Sequence, residues 1–213
     1  MNGIVIKTTG KYYKIKTSSG DIVNCILKGK FRLRNDKSTN PIVVGDRVVV
    51  EKDLVSWKII KLLDRKNQLL RKAVNLSKQT HVIAANIDQA ILMITLESPV
   101  TTTSFIDRFL VAAASYGIKV ILLFNKLDIY NNILLKKQKE LGKLYQIIGY
   151  DIIELSILHD DLTLVREKLK GNVSIISGHS GVGKSTLINQ LQPSLNLNTN
   201  KISEMHKQGQ HTT

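Results

Sequence analysis

The octad Gly178-His179-Ser180-Gly181-Val182-Gly183-Lys184-Ser185 lies between the apolar run Val173 to Ser177 and a helical pattern running from Lys184 to Leu191. This context constrains the chain more than any other feature, because a strand must deliver the backbone to a tight loop that opens directly into a helix. Glycines in such a loop permit dihedrals and close approaches that a Cβ forbids, so successive N–H groups can converge on one anion. The dipole of the helix that follows adds a favourable field at the same point. The octad is thus read as a phosphate-binding loop. Residues Gly178, His179, Ser180, Gly181, Val182, Gly183, Lys184, Ser185 and Thr186 are expected around the phosphates. Lys184 is expected to bridge the β and γ phosphates, and Ser185 to offer its hydroxyl to Mg²⁺.

A second motif, Asn125-Lys126-Leu127-Asp128, leaves the buried-type strand Val120 to Phe124. A carboxylate at Asp128 can accept from both the ring N–H and the exocyclic amine of guanine, whereas adenine would turn a lone pair toward it. Lys126 would lay its aliphatic stem along the base, and Asn125 would tie this loop to the phosphate loop. Alone, Lys126 and Asp128 also read as a solvated turn; paired with the octad, they read as a guanine site. Ordinary GTPases carry the phosphate loop first and this tetrad second. Here the order is reversed, which predicts a circularly permuted GTPase.

Weaker signals flank these two. Ser156, after the strand ending at Glu154-Leu155, stands where GTPases place a short loop whose backbone meets the guanine carbonyl; a strand-to-helix turn capped by Ser156 is the alternative. Gly209-Gln210-His211-Thr212-Thr213 resembles a first switch segment in which a Thr hydroxyl reaches Mg²⁺ and the γ-phosphate. Either Thr212 or Thr213 suits that role, and a polar tail is the competing reading. His81 and His159 receive no role, and His179 is a variable position of the loop. Trp57 and Phe31 are expected in a barrel core rather than stacked on bases.

Short apolar segments separated by turn residues fill the first part of the chain: 3–6, 12–16, 22–27, 47–50 and 57–60, with Ser18-Ser19-Gly20-Asp21 and Gly45-Asp46 between them. Five such strands predict a small OB-like β barrel over residues 1–72, although an SH3-like barrel would read almost identically. Residues 64–80 read as a basic connection. Thereafter strands alternate with helices, which predicts an α/β P-loop domain with a parallel sheet over residues 73–213. The expected strands are 90–96, 119–124, 151–155 and 173–177. The expected helices are one capped by Thr103 or Ser104 and running to Gly117, then 132–147, 161–169 and 184–191.

Charge divides the chain in the same way. Residues 1–80 hold 18 Lys/Arg against 6 Asp/Glu, a net +12, and the remainder holds 13 against 11. A module that basic attracts polyanions, nucleic acid foremost, with a solvated lysine-rich surface as the alternative. Cys25 is the single cysteine, which excludes an internal disulfide and a cysteine-based zinc site within this chain. No apolar run approaches the length of a membrane span, so a cytoplasmic protein that does not enter a membrane is expected.

Together with Ala85-Asn86-Ile87-Asp88-Gln89, Ile106-Asp107-Arg108-Phe109-Leu110, Val44-Gly45-Asp46-Arg47-Val48 and Gly209-x-His211-Thr212-Thr213, these motifs make the chain resemble the ribosome small subunit-dependent GTPase A family (RsgA/YjeQ) along essentially its whole length. The resemblance implies an N-terminal OB domain and a permuted GTPase domain. It also implies GTP hydrolysis stimulated by the small ribosomal subunit, ribosomal RNA as the partner of the basic barrel, and a role in late maturation of that subunit. It carries the guanine readers onto Asn125, Lys126 and Asp128 and the phosphate binders onto Gly178 to Thr186. Members of the family continue past His-Thr-Thr into an Asp-x-Pro-Gly motif and a C-terminal zinc-binding domain. The expectation is therefore a GTPase domain incomplete at its C-terminus, with a strand edge left open beside Val173 to Ser177 and the zinc site in the missing part. A monomer is expected at full length, and hydrolysis by the present chain is expected to be inefficient. Two further readings compete: an RNA-binding assembly factor that keeps GTP as a structural ligand, and an ATP-dependent P-loop enzyme.

Overall fold

The computed structural model describes residues 1–28, 41–54, 56–72 and 80–197. The chain forms two compact units that meet between Ile87 and Asp88.

In the first unit the pairing of inward apolar with outward polar residues makes a closed barrel. Its strands are β1 (Asn2–Thr8), β2 (Tyr13–Thr17), β3 (Ile22–Leu27), β4 (Arg47–Lys52) and β5 (Trp57–Leu62), in the order β1-β2-β3-β5-β4. Closure comes from the antiparallel β1–β4 pair and the parallel β3–β5 pair. That parallel pair is the OB arrangement, so the structure decides between the two barrels that turn spacing left open. Val5, Tyr13, Ile15, Cys25, Ile42, Val48, Val50 and Ile59 fill the interior, with Trp57 packed against them. Burial pushes the Cys25 thiol up to about 11, which keeps it protonated and inert.

Within the Val44-Gly45-Asp46-Arg47-Val48 segment, Gly45 and Asp46 serve the structure. Gly45 has φ +90°, and a Cβ there would stand 2.0 Å from the Ala85 carbonyl oxygen. Only glycine admits that approach. The fully buried Asp46 carboxylate receives Arg65 through both oxygens, Nε at 2.7 Å and Nη2 at 2.8 Å, and also the Val43 N–H at 2.8 Å.

Residues 64–80 are not the plain connection expected from their charge. They enter an antiparallel ribbon of β6 (Gln68–Lys72) and β7 (Thr80–Ala85), with Leu69 opposite Ala84 and Leu70 opposite Val82. Val43, Val82, Ala85 and Leu70 form the small apolar cluster beneath it. Two short strands, the first ending in a basic pair, carry too little alternation to be told from a loop, so the ribbon is defined by its register alone. The expected domain boundary at 72/73 falls inside this ribbon, whereas the compact units divide after Ile87.

The second unit is a four-stranded parallel sheet ordered β10-β9-β8-β11, built from β8 (Gln89–Ile94), β9 (Lys119–Phe124), β10 (Asp151–Glu154) and β11 (Ser174–Ser177). Every residue of β8 is buried, as expected for a central strand covered on both faces. Three helices make the crossovers, α1 (Thr103–Ser115), α2 (Asn132–Ile148) and α3 (Thr163–Leu169), and α4 (Lys184–Leu191) follows β11. The cap of α1 is Thr102, one residue before the expected Thr103 or Ser104, and its hydroxyl accepts from the Phe105 N–H. Because all four strands run the same way, the loops at their carboxyl ends share one edge of the sheet. No helix among the described residues is long and apolar enough to cross a membrane.

Candidate functional site

The sheet edge collects the connections leaving β8, β9, β10 and β11, and the sequence-predicted residues sit on three of them. After β11 the chain turns through Gly178 at φ +142°, where a Cβ would meet the Met93 carbonyl oxygen at 2.6 Å. At Gly183, φ +105°, a Cβ would meet Asn125 Nδ2 at 2.6 Å. Both glycines are therefore demanded by close neighbours, and the loop is drawn down against β8 and the Asn125 side chain. Gly183 precedes α4 and supplies no side-chain cap. The first-turn N–H groups of Lys184, Ser185 and Thr186 thus have no partner within the helix, the arrangement that suits an anion.

Lys184 donates to the Gly178 and His179 carbonyls at 2.9 and 2.7 Å. Desolvation lowers its pKa, with no carboxylate compensating. A half-buried ammonium of this kind gains from an incoming anion, so its chemistry fits phosphate. Val182 is buried in the same core as Leu187, which anchors the loop to α4. The His179 ring stacks on Phe105 of α1, with centroids 4.0 Å apart. Burial, and then the Lys184 charge, hold His179 below the ordinary histidine pKa.

After β9 the tetrad turns sharply. Asn125 is buried, its Nδ2 donates to the Val182 carbonyl at 2.8 Å, and its Oδ1 accepts the Ile157 N–H at 3.1 Å. One amide thereby joins the tetrad loop, the phosphate loop and the loop after β10. Lys126 adopts a left-handed φ of +67°, and its Nζ donates to the Ser98 carbonyl at 2.6 Å. Desolvation lowers the Lys126 pKa, opposed by the neighbouring Asp128.

Ser156 lies beside the tetrad and is bonded to it through its side chain. Its hydroxyl accepts the Asp128 N–H at 2.8 Å and donates to the Asp128 carboxylate. Its backbone N–H is occupied by Asp160 Oδ2 at 2.7 Å, and its carbonyl accepts from His159 and Asp160. Ser156 consequently orients Asp128 through its side chain, while its own backbone is spent within the turn. His159, left without a role in the sequence reading, stands with Nε2 3.8 Å from Asp128 Oδ2.

Tyr130 was missed entirely. Its buried hydroxyl accepts the Leu96 N–H at 2.7 Å and donates to the Asn125 carbonyl at 3.0 Å, pinning the tetrad to the end of β8. Burial raises its pKa, so it remains a donor at neutral pH. No local pattern marks such a residue, because one of its partners, the Leu96 N–H just beyond β8, comes from a distant part of the chain. Replacing Tyr130 by Phe strands the buried Leu96 N–H. The expected cost is about 1–3 kcal/mol of stability together with weaker guanine nucleotide binding, read by thermal melting and GDP titration. A GDP affinity unchanged in Y130F would show that the tetrad keeps its place without this hydroxyl.

The switch candidates Thr212 and Thr213, with Gly209 and His211, lie outside the described residues, as does Phe31. Among the described residues no group of three or more His, Cys, Asp and Glu side chains is placed to hold a metal.

Comparison with known proteins gives this geometry a context. A family model described as RsgA GTPase matches residues 62–213, and one described as RsgA N-terminal domain matches residues 2–56. The chain is 52% identical to the small ribosomal subunit biogenesis GTPase RsgA of Flavobacterium johnsoniae, and 48% identical to a protein of the same name from Bacteroides fragilis. In both comparisons all of this chain aligns, with 67% and 69% of the relative. Among solved structures, YjeQ from Thermotoga maritima superposes with a TM-score of 0.74 at 36% identity, covering 94% of this chain and 68% of that one. YloQ, described as a circularly permuted GTPase, gives 0.68 at 27% identity, covering 91% and 64%. In this chain the phosphate loop follows the guanine tetrad in sequence and the two are joined by the Asn125 amide; with family models over residues 2–56 and 62–213 and relatives aligned along its whole length, the chain belongs to the RsgA GTPase family.

Proposed function

We propose that the protein binds and hydrolyses GTP as a factor in small ribosomal subunit biogenesis, with its basic barrel as the contact to ribosomal RNA. The observation that carries this reading is the Asn125 amide donating to the Val182 carbonyl at 2.8 Å, which fixes the base-reading and phosphate-binding loops at one spacing. In this reading the backbone N–H groups from Gly178 to Thr186 hold the phosphates, with the Lys184 ammonium moving from loop carbonyls to phosphate oxygens. Asp128, oriented by Ser156, accepts from the two guanine donors and excludes adenine. Lys126 covers one face of the base. A bound Mg²⁺ would supply charge neutralisation to the β and γ phosphates, and the Ser185 hydroxyl is its ligand from this chain, joined by Thr212 or Thr213. The zinc site implied by the family resemblance is assigned to the portion of the relatives that this chain does not span. A monomer acting in the cytoplasm, where small subunits are assembled, completes the proposal.

Single-turnover release of phosphate from GTP, measured with and without purified small ribosomal subunits, tests the reading. The expected result is a rate raised at least about tenfold by subunits, the scale of roughly 1.4 kcal/mol of added transition-state stabilisation. A rate at the solvent background in both arms, with GDP still bound, would instead favour GTP as a structural ligand. Equal competition by ATP and GDP would remove the guanine assignment.

A further inference from the structure

We propose that the ribosomal RNA backbone docks on one wall of the barrel, the outer face of β1, β2 and the start of β4, and not on the β4–β5 wall. The inference deepens the small-subunit reading and rests on it.

Strand register builds this wall. Lys7 on β1 lies directly opposite Lys14 on β2, Ile4 lies opposite Lys16, and Ile4 faces Arg47 on β4 from its other side. The inward neighbours Tyr13, Ile15 and Val48 are buried, so Lys14, Lys16 and Arg47 project from the outer surface, and a register shift between Val5 and Lys7 brings Lys7 to the same face opposite Lys14; all four are exposed. Lys14 and Lys16 are two residues apart on one face, about 7 Å, and adjacent strands are about 5 Å apart. Four cations thus share a patch that one stretch of phosphate backbone can follow.

Two features distinguish this patch from a merely solvated surface. Like charges placed directly opposite on a sheet face destabilise it, so the Lys7–Lys14 pair is held against the barrel's own stability. In addition, none of the four cations has a carboxylate partner among the described residues. Asp21, near the end of β2, is turned to the Ser19 hydroxyl at 2.7 Å. The opposite wall is different in kind. There Lys58 pairs with Asp53 at 2.6 Å, Lys28 pairs with Glu51 at 3.8 Å, and Glu51 lies across from Lys58. Lys58 and Lys28 are neutralised locally while Lys52 and Lys61 on this wall have no ion pair among the described residues, whereas on the β1–β2 wall none of the four cations is paired among the described residues and two of them face each other across the strands. Ile4 and Ile22, which flank Lys16 across the strands and are exposed, add apolar surface for the sugar edges.

The test compares two variants that lose the same charge: K7Q/K14Q/K16Q on the proposed wall and K52Q/K58Q/K61Q on the other. Each is titrated across a salt series with purified small ribosomal subunits and, separately, with protein-free small-subunit ribosomal RNA. The expected result is at least a tenfold loss for the first variant, with the slope of log affinity against log salt shallower by about 2–3. The second variant should stay within about threefold of the parent, the effect of diffuse charge alone. The first variant should also melt no lower than the parent, since it relieves the Lys7–Lys14 repulsion, and a lowered Tm would contradict the claim that the pair is held at a cost. Equal losses in both variants, or no loss in the first, would overturn the wall assignment while leaving the small-subunit reading intact. Wall-dependent binding to free RNA without binding to subunits would sink the small-subunit reading and keep the wall. If the parent bound neither, both would fall.

Discussion

Asp128→Asn is expected to weaken GDP binding by two orders of magnitude or more. The carboxylate accepts from two guanine donors at once, and hydrogen bonds to a charged acceptor contribute about 1.5–3 kcal/mol each. An amide in its place keeps one acceptor and turns an N–H₂ group toward a guanine donor, so one bond is lost and a donor-to-donor contact is created. A net loss of about 3 kcal/mol corresponds to roughly a hundredfold in Kd. The fold should survive, because the Ser156 hydroxyl that donates to Asp128 can donate equally to an amide oxygen. The same chemistry predicts a gain. Xanthosine diphosphate presents a carbonyl where guanine presents its amine, so the N–H₂ of the new residue finds an acceptor and affinity for that nucleotide should rise. Calorimetric titration of both nucleotides against both proteins makes the check. If D128N keeps its guanine preference, base recognition lies elsewhere.

The second large effect belongs to the barrel. Asp46→Ala leaves the Arg65 guanidinium in place without its carboxylate and removes the acceptor of the Val43 N–H. Removing one partner of a buried ion pair costs about 3–5 kcal/mol, a large fraction of what holds a small domain together. The barrel should therefore melt well below the parent or fail to fold, as followed by the fluorescence of Trp57, the single tryptophan. Removing both charges is expected to be milder. In D46L/R65M the pair's desolvation penalty disappears along with its attraction, and most of the lost stability should return. A double variant as unstable as D46A would mean that the Val43 bond, and not the ion pair, is the main contribution.

Much of the site was legible in the sequence because its parts are local. A glycine loop between a strand and a helix, and a tetrad leaving a buried strand, announce themselves through residue types a few positions apart, and the structure brings these two loops together through Asn125. Residues that act on the site from other elements gave no such sign. Tyr130 reaches the Leu96 N–H across 34 positions, and His159 comes near Asp128 only because β10 lies beside β9. Ser156 was found by position, while its hydroxyl bond to Asp128 and the Asp160 bond to its backbone N–H depend on how the turn closes. The ribbon of β6 and β7 was concealed because each strand is short and its partner is set only by the antiparallel register.

From the amino-acid order alone follow the two-part organisation, the basic character of the first part, the nucleotide chemistry of the second and the inverted order of its motifs. These depend on composition and on short-range periodicity, which near neighbours fix. Tertiary structure alone decided which barrel the five strands close into, that Lys7 stands opposite Lys14 on one barrel wall, and that the Asn125 amide meets a carbonyl 57 residues away. The reason is physical: parallel strands and barrel closures join segments through long crossovers, so their partners are selected by register and packing of the whole sheet and leave no mark in any local window.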